Sequence, residues 1–84
     1  MKEVLKKLHD LQIEAFAKGV YSFDITARYT PEDSNYEYPA FICVYIYLKG
    51  DETDEDYLAT NFYGWHKEYE TDALLDEIRK FIGL

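Results

Sequence analysis

Cysteine, proline, glycine and basic residues are all scarce in this chain, and each shortage closes off a class of protein. A single cysteine, Cys43, among 84 residues cannot form an internal disulfide. That excludes a disulfide-stapled secreted scaffold and fits a reducing, cytoplasmic setting. Two prolines and four glycines leave no linker, repeat or low-complexity stretch. The longest apolar run, Ala40 to Leu48, is far too short to cross a bilayer. The opening Met1-Lys2-Glu3-Val4-Leu5-Lys6-Lys7 has lysines with no apolar run behind them, which is not the pattern of a signal peptide. Nine Lys and Arg stand against 17 Asp and Glu, a formal net charge of −8. Such a field repels polyanions and attracts basic partners.

What is present is apolar and aromatic. Apolar residues make up 48% and aromatic residues 18% of the chain, with nine tyrosines and five phenylalanines. That suffices for a core and leans toward β structure. The length implies one domain, 1–84, burying about 60–65% of the surface its unfolded form exposes, with a stability of ~5 kcal/mol.

Residues 2–18 carry a helical stripe: Val4, Leu8, Leu11 and Ala15, widened by Leu5 and Phe16, with Ile13 on the shoulder. Gly19 suits a left-handed helix end, with Lys18 at the negative end of the dipole. From Tyr21 to Tyr29 the alternation is strict, placing Tyr21, Phe23, Ile25, Ala27 and Tyr29 on a buried face and Ser22, Asp24, Thr26 and Arg28 on a wet one. Thr30 to Asn35 has turn chemistry around Pro31. Tyr38 to Leu48 reads as the central strand, its aliphatic face opposed by Phe41, Cys43, Tyr45 and Tyr47. Tyr57 to Tyr63 reads as a third strand, with Leu58, Thr60 and Phe62 on one face. After a loop at 64–70, residues 71–82 form a helix with Leu74, Leu75, Ile78, Phe81 and Ile82 in its stripe, capped by Thr71 or Asp72. Short connections between successive strands favour a meander, and two amphipathic helices need the same apolar face. The expectation is an α+β two-layer sandwich, α-β-β-β-α, with a three-stranded antiparallel meander and both helices on one sheet face.

Three constellations follow. The open sheet face would carry Phe41, Tyr45, Tyr47, Tyr57 and Tyr63, and tyrosine is enriched in interfaces because it buries area cheaply and keeps a polar handle. The run Asp51-Glu52-Thr53-Asp54-Glu55-Asp56 lacks the glycine and closing glutamate of a calcium loop, so it reads first as a solvated turn. At one end of a meander, the loops at 30–37 and 64–71 would gather Glu32, Asp33, Glu37, Glu68, Glu70 and Asp72 near Tyr36, Tyr38, Trp65, His66 and Tyr69. Carboxylates ringing aromatic anchors suit a basic surface. Catalysis finds little footing. Cys43 sits mid-strand, His9 and His66 have no second ligand at metal spacing, and no phosphate loop or serine elbow exists.

The order helix, three strands, helix resembles the double-stranded-RNA-binding domain. In that family the first strand–strand loop and the start of the last helix are basic and contact phosphates. The corresponding segments here, Thr30 to Glu37 and Glu68 to Asp72, carry acids, which removes the driving force for nucleic acid. In size, charge and element order the chain is instead similar to small phage-encoded and anti-CRISPR inhibitors, which occupy nucleic-acid channels by imitating their charge.

The sequence therefore points to a cytoplasmic, non-enzymatic interaction module that needs no cofactor or metal and binds neither nucleic acid nor membrane directly. It would dock to a basic protein surface through Asp51, Glu52, Asp54, Glu55 and Asp56, anchored by Tyr45, Tyr47, Tyr63 and Trp65. A nucleic-acid-mimicking inhibitor and a structural homodimer through the open sheet face are the alternatives.

Overall fold

A computed structural model describes residues 2–29, 40–50 and 57–83. Two helices and a three-stranded antiparallel sheet follow in the order α-β-β-β-α: α1 (Lys2–Ala17), β1 (Ser22–Tyr29), β2 (Ala40–Tyr47), β3 (Tyr57–Tyr63) and α2 (Glu68–Phe81). The sheet is a meander, β1-β2-β3, with β2 in the centre. Both helices bury their stripes on one sheet face. Leu8, Leu11 and Ala15 of α1 and Leu75 and Ile78 of α2 join Phe23, Ile42, Val44, Ile46 and Phe62 in one core cluster. Each fully buried Leu, Ile or Phe contributes about 1.5–3 kcal/mol of transfer free energy. Among the described residues, no helix is long and apolar enough to cross a membrane.

The helix ends explain how the layers are locked. Gly19 adopts φ 87°, and its N–H donates to Phe16 O while the N–H of Val20 donates to Ala15 O. This paired closure satisfies the last carbonyls of α1 and turns Val20 back onto the core. Lys18 does not serve its own helix. Its Nζ donates to Gly83 O, just beyond α2, while Lys7 near the start of α1 lies 3.9 Å from Asp72 near the start of α2. The helices thus run side by side in the same direction.

The structure corrects the sequence reading at several points. α2 begins at Glu68, so the predicted loop at 64–70 is shorter and neither Thr71 nor Asp72 is its cap. The cap is Lys67, whose N–H donates to Glu70 Oε1 at 3.2 Å, while its carbonyl accepts from Thr71 N–H at 3.0 Å. Phe16 is 53% exposed and Ile13 68% exposed. At 100° per residue they lie about 110° and 170° from the centre of the α1 stripe, outside its buried arc. Tyr21 falls just before β1 and is exposed, with its ring lying over Gly50. Ala27 is also exposed, so the inner face of β1 leaves the core toward its far end.

Candidate functional site

Unbroken register builds the outer sheet face. Ser22 to Tyr29 pairs with Tyr47 to Ala40, and Phe41 to Tyr47 pairs with Tyr63 to Tyr57. With no bulge in β3, Leu58, Thr60 and Phe62 turn inward. Phe62 is fully buried and Thr60 is 8% exposed, so Tyr57 and Tyr63 are placed outward by the pleat. The outer face is a grid of cross-strand rows: Ser22–Tyr47–Tyr57, Asp24–Tyr45–Ala59, Thr26–Cys43–Asn61 and Arg28–Phe41–Tyr63.

Its aromatic residues separate into two clusters. At the end where β2 leads toward β3, the Tyr57 ring lies 4.8 Å from Tyr47 and 6.3 Å from Tyr45, centroid to centroid. Partial burial, reinforced by the charges that Tyr47 and Tyr45 would carry if ionised, raises the Tyr57 pKa above the ordinary tyrosine value. Tyr45 is 41% exposed. At the opposite end the Arg28 guanidinium sits 5.8 Å from the Phe41 centroid. Phe41 stacks with Tyr63 at 6.3 Å, and Tyr63 stacks with Trp65 at 5.7 Å with 12° between planes. Cation, ring, ring and indole form one row reaching from β1 to the turn after β3.

That turn is fixed by His66. The N–H of Tyr63 donates to His66 Nδ1 at 3.0 Å, and the N–H of His66 donates to Tyr63 O at 3.0 Å. A neutral imidazole accepting at Nδ1 holds its proton on Nε2. The ring also meets Tyr63 edge-on at 5.4 Å and lies 4.4 Å from Trp65. Trp65 is thereby docked on its neighbours while 48% of its surface stays open. Stacking orients the indole and leaves the rest available.

Four of the sequence-derived anchors are on or beside this face, but not at one point. Tyr45 and Tyr47 belong to one cluster, Tyr63 and Trp65 to the other, with Cys43, Thr26 and Asn61 between them. Cys43 is free and half-buried. Phe41 and Tyr57, which the sequence places on the open face, and His66, which it places beside Trp65, join these clusters although the sequence does not count them among the anchors. The acids Asp51, Glu52, Asp54, Glu55 and Asp56 lie outside the described residues, as do Glu32, Asp33, Glu37, Tyr36 and Tyr38. Glu68, Glu70 and Asp72 fall in the first turns of α2 rather than in a loop. On the other side of the His66 turn, a half-open groove of about 340 Å³ lies between the starts of the two helices, lined by Glu3, Val4, Lys7, Glu68 and Thr71. It mixes one lysine with two glutamates and favours neither sign of ligand. Among the described residues, no group of three or more His, Cys, Asp or Glu could hold a metal ion. No known family model, curated protein or solved structure matches this chain.

Proposed function

We propose that this protein is a non-enzymatic interaction module of the cytoplasm that docks onto a basic protein surface. The observation that carries the reading is the ring row Phe41–Tyr63–Trp65 on a sheet face that neither helix covers, in a chain of net charge −8. Ring faces attract guanidinium and ammonium groups, and the row already holds one such contact in Arg28 over Phe41. Tyrosine and tryptophan supply area at low entropy cost, so the exposed Tyr45 and Trp65 with the half-buried Tyr47 and Tyr63 are the anchors. The surplus acids, the run at 51–56 included, steer a cationic partner toward the face and set the salt dependence. Absence of a partner disulfide for Cys43 suits a reducing compartment.

The test is recovery of a basic binding partner from host lysate by immobilised protein, compared between the wild type and the Tyr45→Ala/Trp65→Ala variant at low and high salt. A partner held at low salt, weakened by added salt and lost in the variant supports the proposal. Equal retention by the variant refutes the aromatic anchor.

A further inference from the structure

Hydrogen-bond alternation gives the two sheet edges different characters. In an antiparallel pair, each residue aims its N–H and C=O to the same side, and the side alternates along the strand. Tyr63 gives its N–H to His66 Nδ1 and takes the His66 N–H on its carbonyl, so both groups point away from β2. By alternation Tyr57, Ala59 and Asn61 also point outward, while Leu58, Thr60 and Phe62 bond to β2. The opposite edge agrees independently. Gln12 Nε2 donates to Phe23 O at 2.6 Å, which sets Phe23 outward on β1 and leaves Asp24 and Arg28 bonding inward. β2 then bonds to β1 from Phe41, Cys43, Tyr45 and Tyr47, and to β3 from the residues between them, with no residue used twice.

The edges are guarded unequally. β1 has Gln12 across one carbonyl and carries Asp24 and Arg28, the kind of charge that discourages strand addition. β3, Tyr57-Leu58-Ala59-Thr60-Asn61-Phe62-Tyr63, has no charged residue and no proline. Only its last outward residue, Tyr63, is capped among the described residues. The uncapped outward residues Tyr57, Ala59 and Asn61 are symmetric about Ala59.

We infer that this edge pairs with the same edge of a second copy of the chain. A two-fold axis between Ala59 and its counterpart makes Ala59 face Ala59, and Tyr57 face Asn61 in both directions. Every outward N–H and C=O of the three residues then has a partner, and the register ends where His66 has already occupied Tyr63. This is an isologous contact, self-complementary by construction. It joins the two sheets into one and puts both open faces on the same side. The small Ala59 side chains meet on the axis, and each tyrosine ring lies opposite a short polar asparagine. The inference stands apart from the docking reading, since it uses backbone groups at an edge rather than the ring faces or the acids. The two also respond oppositely to salt. Two chains of net charge −8 repel, so screening strengthens self-pairing and weakens attachment to a basic partner.

The experiment is sedimentation equilibrium of the intact chain from low to high micromolar concentration, with amide hydrogen exchange on the same samples. The expected result is a mass rising from 10.0 kDa toward twice that value, more readily at high salt. Amides of Tyr57, Ala59 and Asn61 gain protection with concentration, while those of Leu58, Thr60 and Phe62 are protected throughout. Ala59→Lys, at an exposed position, places like charges on the axis and returns the mass to that of a monomer. A monomer at every concentration overturns the inference. So does a dimer that survives Ala59→Lys, or one whose concentration-dependent protection lies elsewhere than these alternate amides.

Discussion

At the scale of single residues, the outer face and the core are separated by the cost of removing a side chain. Phe62 and Phe23 are almost wholly buried, and truncating either to alanine costs about 3–5 kcal/mol. That leaves about 0–2 kcal/mol of the stability of a domain this small, so Phe62→Ala should melt far below the wild type, with up to about half of it unfolded by far-ultraviolet circular dichroism at 25 °C. Tyr45→Ala, on the open face, should shift the urea midpoint only slightly. His66 lies between these extremes. His66→Ala leaves the Tyr63 N–H without its acceptor and strips a ring from Trp65. We expect about 1–2 kcal/mol lost in urea titrations with an unchanged slope, together with a shift in the emission of the single tryptophan. Tyr57 gives the pH response its sign. Its hydroxyl titrates above the ordinary tyrosine value in the folded chain, so the unfolded chain releases that proton first. The contribution is fully present below the unfolded-state pKa and lost as pH rises through the folded one, an alkaline loss setting in above about pH 10. Tyr57→Phe should reduce that alkaline fall in melting temperature.

Elements record where local rules were sufficient. β3 was readable from its alternation over Tyr57 to Tyr63, and α1 from four apolar positions and a glycine stop. Gly19 at φ 87° has open space around it, so the cost of Gly19→Ala is conformational, about 1 kcal/mol, measurable by thermal melting. The start of α2 was not readable because its cap carries no capping side chain. The Lys67 side chain has no oxygen to accept a helix N–H, and the signal comes from Glu70 reaching backward. Glu70→Ala should therefore cost more than the same change at exposed Glu77, by about 0.5–1 kcal/mol. Phe16 misled for a different reason. Apolar type alone suggested burial, whereas its angle around α1 sets it outside the stripe. The bond from Gln12 to Phe23 O joins residues eleven apart through tertiary placement, which no periodicity predicts.

For the whole molecule, element order and composition were enough to anticipate the α-β-β-β-α order and the layer of two helices on one face of the sheet. Two amphipathic helices and one half-apolar sheet have few other ways to bury their stripes. What required the structure was position along the opposite face. Register divides the tyrosines into a Tyr45–Tyr47–Tyr57 group and a Phe41–Tyr63–Trp65 row, and a slip of one residue would have turned them inward. Alternation already sets Phe41 on this face; its pairing opposite Tyr63 and the backbone bond from Tyr63 to His66 needed the register. The central claim is that this face, in an acidic chain, receives basic groups. The most direct measurement is a ¹H–¹⁵N NMR titration of the intact protein with an arginine-rich peptide at low salt. The account predicts saturable shifts centred on the Trp65 indole and on the amides of Phe41, Tyr45 and Tyr63, reduced by added salt. Shifts confined to other surfaces, or none at all, would contradict it.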